Sequence, residues 1–278
     1  MGGWVDGYPN PIFRLLEKLP GKRKGLIGPW GHKYPHLAMP GPQIGFLQEC
    51  LRWWDQYLKG IDTGIEDEPM LRAWIQEPAR PAPIYDERPG RWVAEPYWPA
   101  PGVKELVLHL APHRLNEING KDEVQTICSR QTAGLSSGAW CDYGTIPTQP
   151  IDQRTEGGNA LIFETEPLTE ALEILGFPEL EVTLASDKPT ALLSATLSQV
   201  FPDGAASRIS FGILNLSHRY DDLAIEPMVP GKIETIRLKL RCCGQRFEAG
   251  ERIRLAVGPP SFRRRRTQPC RSIAGQAG

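Results

Sequence analysis

Long apolar runs are missing from this chain of 278 residues. The best, Glu-Leu-Val-Leu-His-Leu-Ala at 105–111, falls far short of the roughly 20 residues a membrane-spanning helix needs. The first residues show no basic-then-apolar leader, so neither a membrane span nor a secretory signal is expected. Charge of one sign is missing too. Lys and Arg number 32 against 33 Asp and Glu, a net charge of −1, so no overall field recruits nucleic acid or an anionic membrane, and neither is expected as a partner. The six cysteines have no paired CxxC spacing and are too few for a disulfide framework in a chain this size. They read as reduced thiols, and the protein as cytoplasmic. No glycine-rich phosphate loop is present, so no cofactor is implied. The one His-x3-His pair, His32 and His36, has Pro35 breaking the helix that would align it, so no metal is expected.

What is present divides at about residue 60. Asn10 can cap a helix entered through Pro11, with Ile12, Leu15, Leu16 and Leu19 on one face. Lys24 to Gly28 suits a short buried strand of a parallel sheet, and Ile44, Leu47, Leu51, Trp54 and Leu58 mark a helix from about Pro42 to Leu58, closed by Gly60. Residues 61–100, rich in Pro and Trp, read as a connector with one strand, Met70 to Gln76. From 101 to 258 short β-type runs alternate with turn residues: 105–110, 160–164, 179–185, 191–200, 208–216, 232–240 and 252–257. That pattern argues a β-sandwich or jelly roll.

Two glycine-flanked polar residues carry the candidate chemistry. Asp6 sits in Gly2-Gly3-Trp4-Val5-Asp6-Gly7-Tyr8, where a strand would end; His32 closes Gly28-Pro29-Trp30-Gly31-His32, directly after a strand. Reactive groups of open α/β sheets collect beyond the carboxyl ends of strands, where neighbouring loops converge. An aspartate there can accept the imidazole N–H and fix its tautomer while the other ring nitrogen takes a proton from a nucleophile. The bland alternative is a turn-forming Asp and a packed or surface His.

The stretches Gly3-Trp4-Val5-Asp6, Ile27-Gly28-Pro29-Trp30-Gly31-His32 and Trp53-Trp54-Asp55-Gln56-Tyr57-Leu58-Lys59-Gly60 resemble, in order and spacing, the cocaine-esterase-like and Xaa-Pro dipeptidyl-peptidase family of α/β hydrolases. Asp152-Gln153-Arg154, Leu161 to Pro167, Leu180 to Asp187, Val200-Phe201-Pro202-Asp203-Gly204 and Phe247 to Leu255 resemble that family's C-terminal jelly-roll domain. The resemblance implies residues 1–60 as the C-terminal part of an α/β-hydrolase domain, 61–100 as connector and 101–258 as a galactose-binding-like sandwich. It implies an acyl-enzyme mechanism on a small acyl ester or peptide, with Asp6 as orienting acid and His32 as general base.

The family's nucleophile elbow has no counterpart here. The one Gly-x-Ser-x-Gly, Gly134 to Gly138, follows His32, the wrong order, and no helix pattern follows Ser136, so that serine reads as a loop residue. Residues 259–278, with Arg263 to Arg266, have no period and read as a disordered tail, the out-of-frame remnant of a lost strand, which would leave the sandwich an unpaired edge. Three expectations follow: a serine-hydrolase fragment inactive alone, a non-catalytic β-sandwich binding module, or half of a split enzyme completed by a separate N-terminal half. In the first and third, the α/β part should expose apolar faces.

Overall fold

A parallel strand pairing at the start of the chain organises its first unit. In the computed structural model, which describes residues 1–118, 123–128, 134, 149–258 and the backbone of 272–276, most regular structure is β-strand and helices are few. The chain divides into two compact units, the first built mainly from Met1–Glu77 and Ile84–Glu105, the second from Pro78–Pro83 and most of the residues after Glu105.

In the first unit β1 (Gly2–Gly3) runs parallel to β2 (Gly25–Gly28), β2 parallel to β3 (Leu71–Gln76), and β3 antiparallel to β4 (Gly90–Glu95). Every residue of β2 is buried, as a short apolar run between two parallel neighbours requires. The connector therefore holds two strands where the sequence suggested one; β4, between Pro89 and Pro96, has charged residues near both ends and no regular apolar alternation. α1 (Asn10–Lys18) begins after Pro9 without a side-chain cap, so Asn10 is its first residue rather than its cap. Its buried residues are Phe13 and Leu16, while Leu15 and Leu19 are exposed. Phe13 decides that rotation: its ring lies 5.8 Å from Trp4 and 4.7 Å from Trp98. α2 (Phe46–Lys59) ends at Gly60, whose φ of 70° is the left-handed conformation that closes helices. Leu47, Leu51, Trp54 and Leu58 form an exposed stripe along it, and none of its residues is buried. The apolar surface left uncovered is on this helix, whereas every residue of β2 is buried.

Among the described residues, the regular structure of the second unit is strand apart from two short helical turns, Arg154–Gly157 and the 3-10 turn Leu216–His218. β5 (His109–Ala111), β6 (Arg114–Asn116), β7 (Gln125–Cys128), α3 (Arg154–Gly157), β8 (Leu161–Glu164), β9 (Leu172–Gly176), β10 (Glu179–Ser186), β11 (Leu192–Val200), β12 (Ala206–Asn215), β13 (Glu234–Lys239), β14 (Cys243–Phe247), β15 (Arg252–Gly258) and β16 (Ser272–Gln276) follow in order. One sheet runs β12-β11-β15-β8-β6-β5, another β13-β10-β16-β7, and β9 pairs antiparallel with β14. Alternation along β10 puts Leu180, Val182 and Leu184 inside, where they meet Leu193, Ile236, Leu240 and Phe247. Such period-2 burial explains why β10 and β13 are readable from sequence. β14 is not, because four of its five residues are buried and one of them is Gln245.

Two expectations are corrected. Ser272–Gln276, placed in the tail, forms β16, whose backbone pairs with β10 on one side and β7 on the other, so that edge of β10 is occupied. Arg263 to Arg266 and Cys270 lie outside the described residues. Cys128 at the end of β7 is disulfide-bonded, so the cysteines are not all reduced; Cys50 and Cys243 are free thiols. Burial pushes the Cys243 thiol up to about 12, which leaves it unreactive.

The motifs Asp152-Gln153-Arg154 and Phe201-Pro202-Asp203-Gly204 prove to be one structural clasp. Asp152 accepts the backbone N–H groups of Arg154 at 3.0 Å and Ala206 at 3.2 Å, and the Arg154 Nε–H at 2.8 Å. Asp203 accepts Ala205 N–H at 3.1 Å and the Arg80 guanidinium at 2.5 Å, closing the turn from β11 to β12. Burial disfavours the Asp152 carboxylate, but the hydrogen bonds from Arg154 and Ala206 outweigh it and hold its pKa below the usual value. A carboxyl whose folded pKa is lowered contributes stability above its ordinary pKa and loses it as pH falls through the lowered value. Asp152→Asn should therefore cost about 1–3 kcal/mol near neutral pH and flatten the fall of the urea midpoint below about pH 4. An acid slope equal to wild type would refute this role.

Candidate functional site

Two loops meet beyond the carboxyl ends of β1 and β2. The Trp4 N–H donates to Gly28 O at 2.9 Å and the Val5 N–H to Trp30 O at 3.1 Å, so the chain after β1 is laced to the chain after β2. Gly3 is what permits the approach: a Cβ there would lie 1.9 Å from the Trp30 carbonyl oxygen. The Trp4 indole N–H donates to Trp74 O at 2.7 Å, tying the same loop to β3. Trp30 is buried and its indole N–H donates to Pro42 O at 2.8 Å, which anchors the second loop.

Held this way, the Asp6 carboxylate straddles the His32 Nδ1, with Oδ1 at 3.0 Å and Oδ2 at 3.1 Å. Oδ1 also accepts the Tyr8 backbone N–H at 3.0 Å, an Asx turn that orients the carboxyl group. Asp6 is 16% exposed and His32 43%, so the acid is the sheltered partner and the imidazole faces outward. The Tyr8 ring centroid stands 6.1 Å from that of His32. A carboxylate on Nδ1 favours the tautomer with its proton there, which leaves Nε2 as the basic nitrogen on the far side of the ring. The arrangement can accept a proton at Nε2 and stabilise the imidazolium so formed.

Both candidate residues are thus brought together. His36 is not part of the arrangement: its ring stacks on Phe46 with centroids 5.6 Å apart. Among the described residues no group of three or more His, Cys, Asp or Glu could hold a metal ion. Ser136 lies outside the described residues. Among the connector tryptophans, Trp74 is buried, Trp92 packs on Trp74 at 5.3 Å and Trp30 at 6.0 Å, and Trp98 packs on Phe13. Sequence reading missed the part played by Gly3 and by the Tyr8 N–H, although the Asp-Gly-Tyr order is itself an Asx-turn signal.

The family model described as the X-Pro dipeptidyl-peptidase C-terminal non-catalytic domain matches residues 63–264. This chain belongs to that family. Asp6 and His32 precede the matched span. The chain is similar to a protein of Mycobacterium tuberculosis (strain CDC 1551 / Oshkosh) named as a serine esterase, at 26% identity over 92% of this chain and 44% of that protein. It is also similar to the cocaine esterase of Rhodococcus sp. (strain MB1 Bresler), at 22% identity over 94% of this chain and 48% of the esterase. The chain thus spans less than half the length of these curated relatives. A crystal structure of a CocE/NonD family hydrolase from Staphylococcus aureus shares the fold, with a TM-score of 0.72 at 13% identity, covering 100% of this chain and 51% of that one. No helix among the described residues is long and apolar enough to cross a membrane.

In the neutral imidazole, 15N NMR should show His32 with its proton on Nδ1, its signals assigned by their loss in His32→Ala, and Asp6→Asn should move the proton toward Nε2. A wild-type ring protonated on Nε2 would contradict the geometry. Gly3→Ala should cost about 1–3 kcal/mol by urea unfolding and weaken the Nδ1 signature, because the new methyl group forces the two loops apart.

Proposed function

We propose that Asp6 and His32 are the orienting acid and general base of a Ser-His-Asp hydrolase, and that the nucleophilic serine comes from sequence outside these 278 residues. On this reading residues 1–60 are the C-terminal part of an α/β-hydrolase domain, residues 101–258 are a jelly roll, and the complete protein cleaves a small acyl ester or an Xaa-Pro peptide. The observation that carries it is the two-oxygen contact of Asp6 with His32 Nδ1 at 3.0 and 3.1 Å. Two further observations support it. The relatives bear hydrolase names and are more than twice as long, and α2 presents an apolar stripe that a neighbouring layer of a larger domain would cover.

The chemistry assigned to this chain is limited to the proton. His32 Nε2 removes the proton from the attacking hydroxyl and returns it to the leaving group, while Asp6 holds the ring in one tautomer and stabilises its cation. Bond making and oxyanion stabilisation belong to the part that carries the elbow. The chain by itself is therefore inactive, and the non-catalytic description of residues 63–264 agrees with a supporting role for the β unit. The split-enzyme arrangement is the same reading with the serine on a separate polypeptide, a complementing N-terminal hydrolase half.

The purified chain should hydrolyse no p-nitrophenyl acetate above background and take no label from a fluorophosphonate probe; labelling of this chain alone would sink the proposal. The gene's upstream sequence, or a neighbouring gene, should encode a Gly-x-Ser-x-Gly elbow. The assembled protein should then label at that serine, and Asp6→Asn should lower kcat by about 10⁴-fold. An assembled protein indifferent to Asp6→Asn and His32→Ala would refute the assignment of roles.

A further inference from the structure

The run from Glu105 to Leu110 reads as one strand in the sequence, yet only its end is regular: β5 holds His109–Ala111, and residues 105–108 are not strand. β5 is the last strand of its sheet among the described residues, paired with β6 on one side. Residues 105–108 make no backbone hydrogen bond among the described residues. Leu106 and Val107 are 48% and 54% exposed, while Leu108 and Leu110 pack against the core. The pleat of β5, continued backward, puts Leu106 on the side of those leucines and Glu105, Val107 and His109 on the other face. An apolar edge with open N–H and C=O groups is a template for an added strand.

The link from β5 to β6 decides which backbone groups face outward. Only Pro112 and His113 separate the paired Ala111 and Arg114, so odd-numbered residues of β5 direct their backbone bonds to β6. Leu110 and, along the same pleat, Leu108 and Leu106 direct theirs to the free edge. The same segment of a second copy, run antiparallel, fits that edge. A two-fold axis at Val107 sets Leu106 opposite Leu108, the residues whose bonds face outward, and Glu105 opposite His109 at both ends. A carboxylate then faces an imidazole twice, and no like charges meet. Centring the pair on Leu108 instead would set Glu105 against Ala111 and lose both contacts.

We infer that Glu105 to Leu110 is a self-association strand, through which two copies of this chain extend the sheet across a two-fold axis at Val107. An interface one strand wide is smaller than a standard protein interface, so the dimer is reversible. It stands whether or not Asp6 and His32 serve a serine.

Analytical ultracentrifugation of the purified chain tests it, together with oxidation of cysteine variants. The wild-type chain should pass from monomer to dimer as its concentration rises. Val107→Lys, an exposed change that sets two ammonium groups face to face on the axis, should weaken association by about tenfold or more. Leu51→Lys, on the exposed stripe of α2, should leave it unchanged. Under mild oxidation Val107→Cys should form a covalent dimer, since a self-opposed, non-hydrogen-bonded pair brings its Cα atoms to about 4.5 Å. Leu106→Cys, which faces Leu108 of the other copy, should form little, and the wild-type chain treated alike measures any cross-linking through Cys50. The inference is overturned by a chain that stays monomeric, by a dimer that survives Val107→Lys or dissolves with Leu51→Lys, or by cross-linking of Leu106→Cys as readily as Val107→Cys.

Discussion

The parallel pairing of β1 with β2, two residues deep, is the constraint on which the candidate site depends. Parallel neighbours end on the same edge of a sheet, so the chains leaving Gly3 and Gly28 start side by side. A short pairing supplies little registry by itself. Hydrogen bonds beyond the strand ends, from Trp4 to Gly28 O and from Val5 to Trp30 O, extend it without regular strand geometry. That extension demands a residue with no side chain at position 3, since the Trp30 carbonyl occupies the place of a Cβ. The buried Trp30 then makes the second loop a fixed wall. Asp6 and His32 therefore meet because two backbones are held together, and their own attraction, in a half-exposed setting, need contribute only modestly.

In the β unit, polar residues do work that resembles a site but is architectural. Asp152 binds two backbone N–H groups of different segments, and Asp203 closes the turn that Asp152 grips. Arg80 adds a charge to Asp203 and lies 4.5 Å over the Phe201 ring, so a turn between two long strands acquires a defined shape. Clustered Asp and Arg in a sequence suggest catalysis or metal binding. Here Asp152 accepts through both of its oxygens and Asp203 accepts two hydrogen bonds at Oδ1, all within the fold, and this accounts for the spacing. Gln245, Gln199 and Glu251 follow the same logic inside the core, where Gln245 donates to Gln199 at 2.9 Å and Gln199 donates to Glu251.

What the sequence disclosed, and what it hid, follows from where each element packs. β10 and β13 alternate, with Val182 and Leu184, and Ile236 and Leu238, turned to the core, and alternation is visible without coordinates. α1 misled because Ile12, Leu15, Leu16 and Leu19 are the obvious stripe, whereas the aromatic contacts of Phe13 with Trp4 and Trp98 set the rotation. Those partners are distant in sequence. β16 was hidden because a strand accepted by open edges needs only backbone groups and small residues, and Ser272 to Gln276 has no hydrophobic period. The pairing of Asp6 with His32 was legible because glycine-flanked polar residues after two strands of one parallel unit must converge. The Gly3 contact was not, since a glycine at a turn and a glycine under a carbonyl are written alike.

The description of residues 63–264 as non-catalytic and the geometry of Asp6 with His32 are compatible because they concern different parts of the chain. The matched span begins after α2, and the pair lies before it. The chain thus carries the Asp6–His32 contact ahead of the span described as non-catalytic. An Asp–His pair lowers no barrier unless a nucleophile stands within hydrogen-bond reach of Nε2 and donors await the developing oxyanion. Removing the nucleophile from such a system costs nearly as much as removing all its members, because they act as a unit. On the proposed reading, the pair therefore acts only where a further segment brings a serine to the outward face of His32.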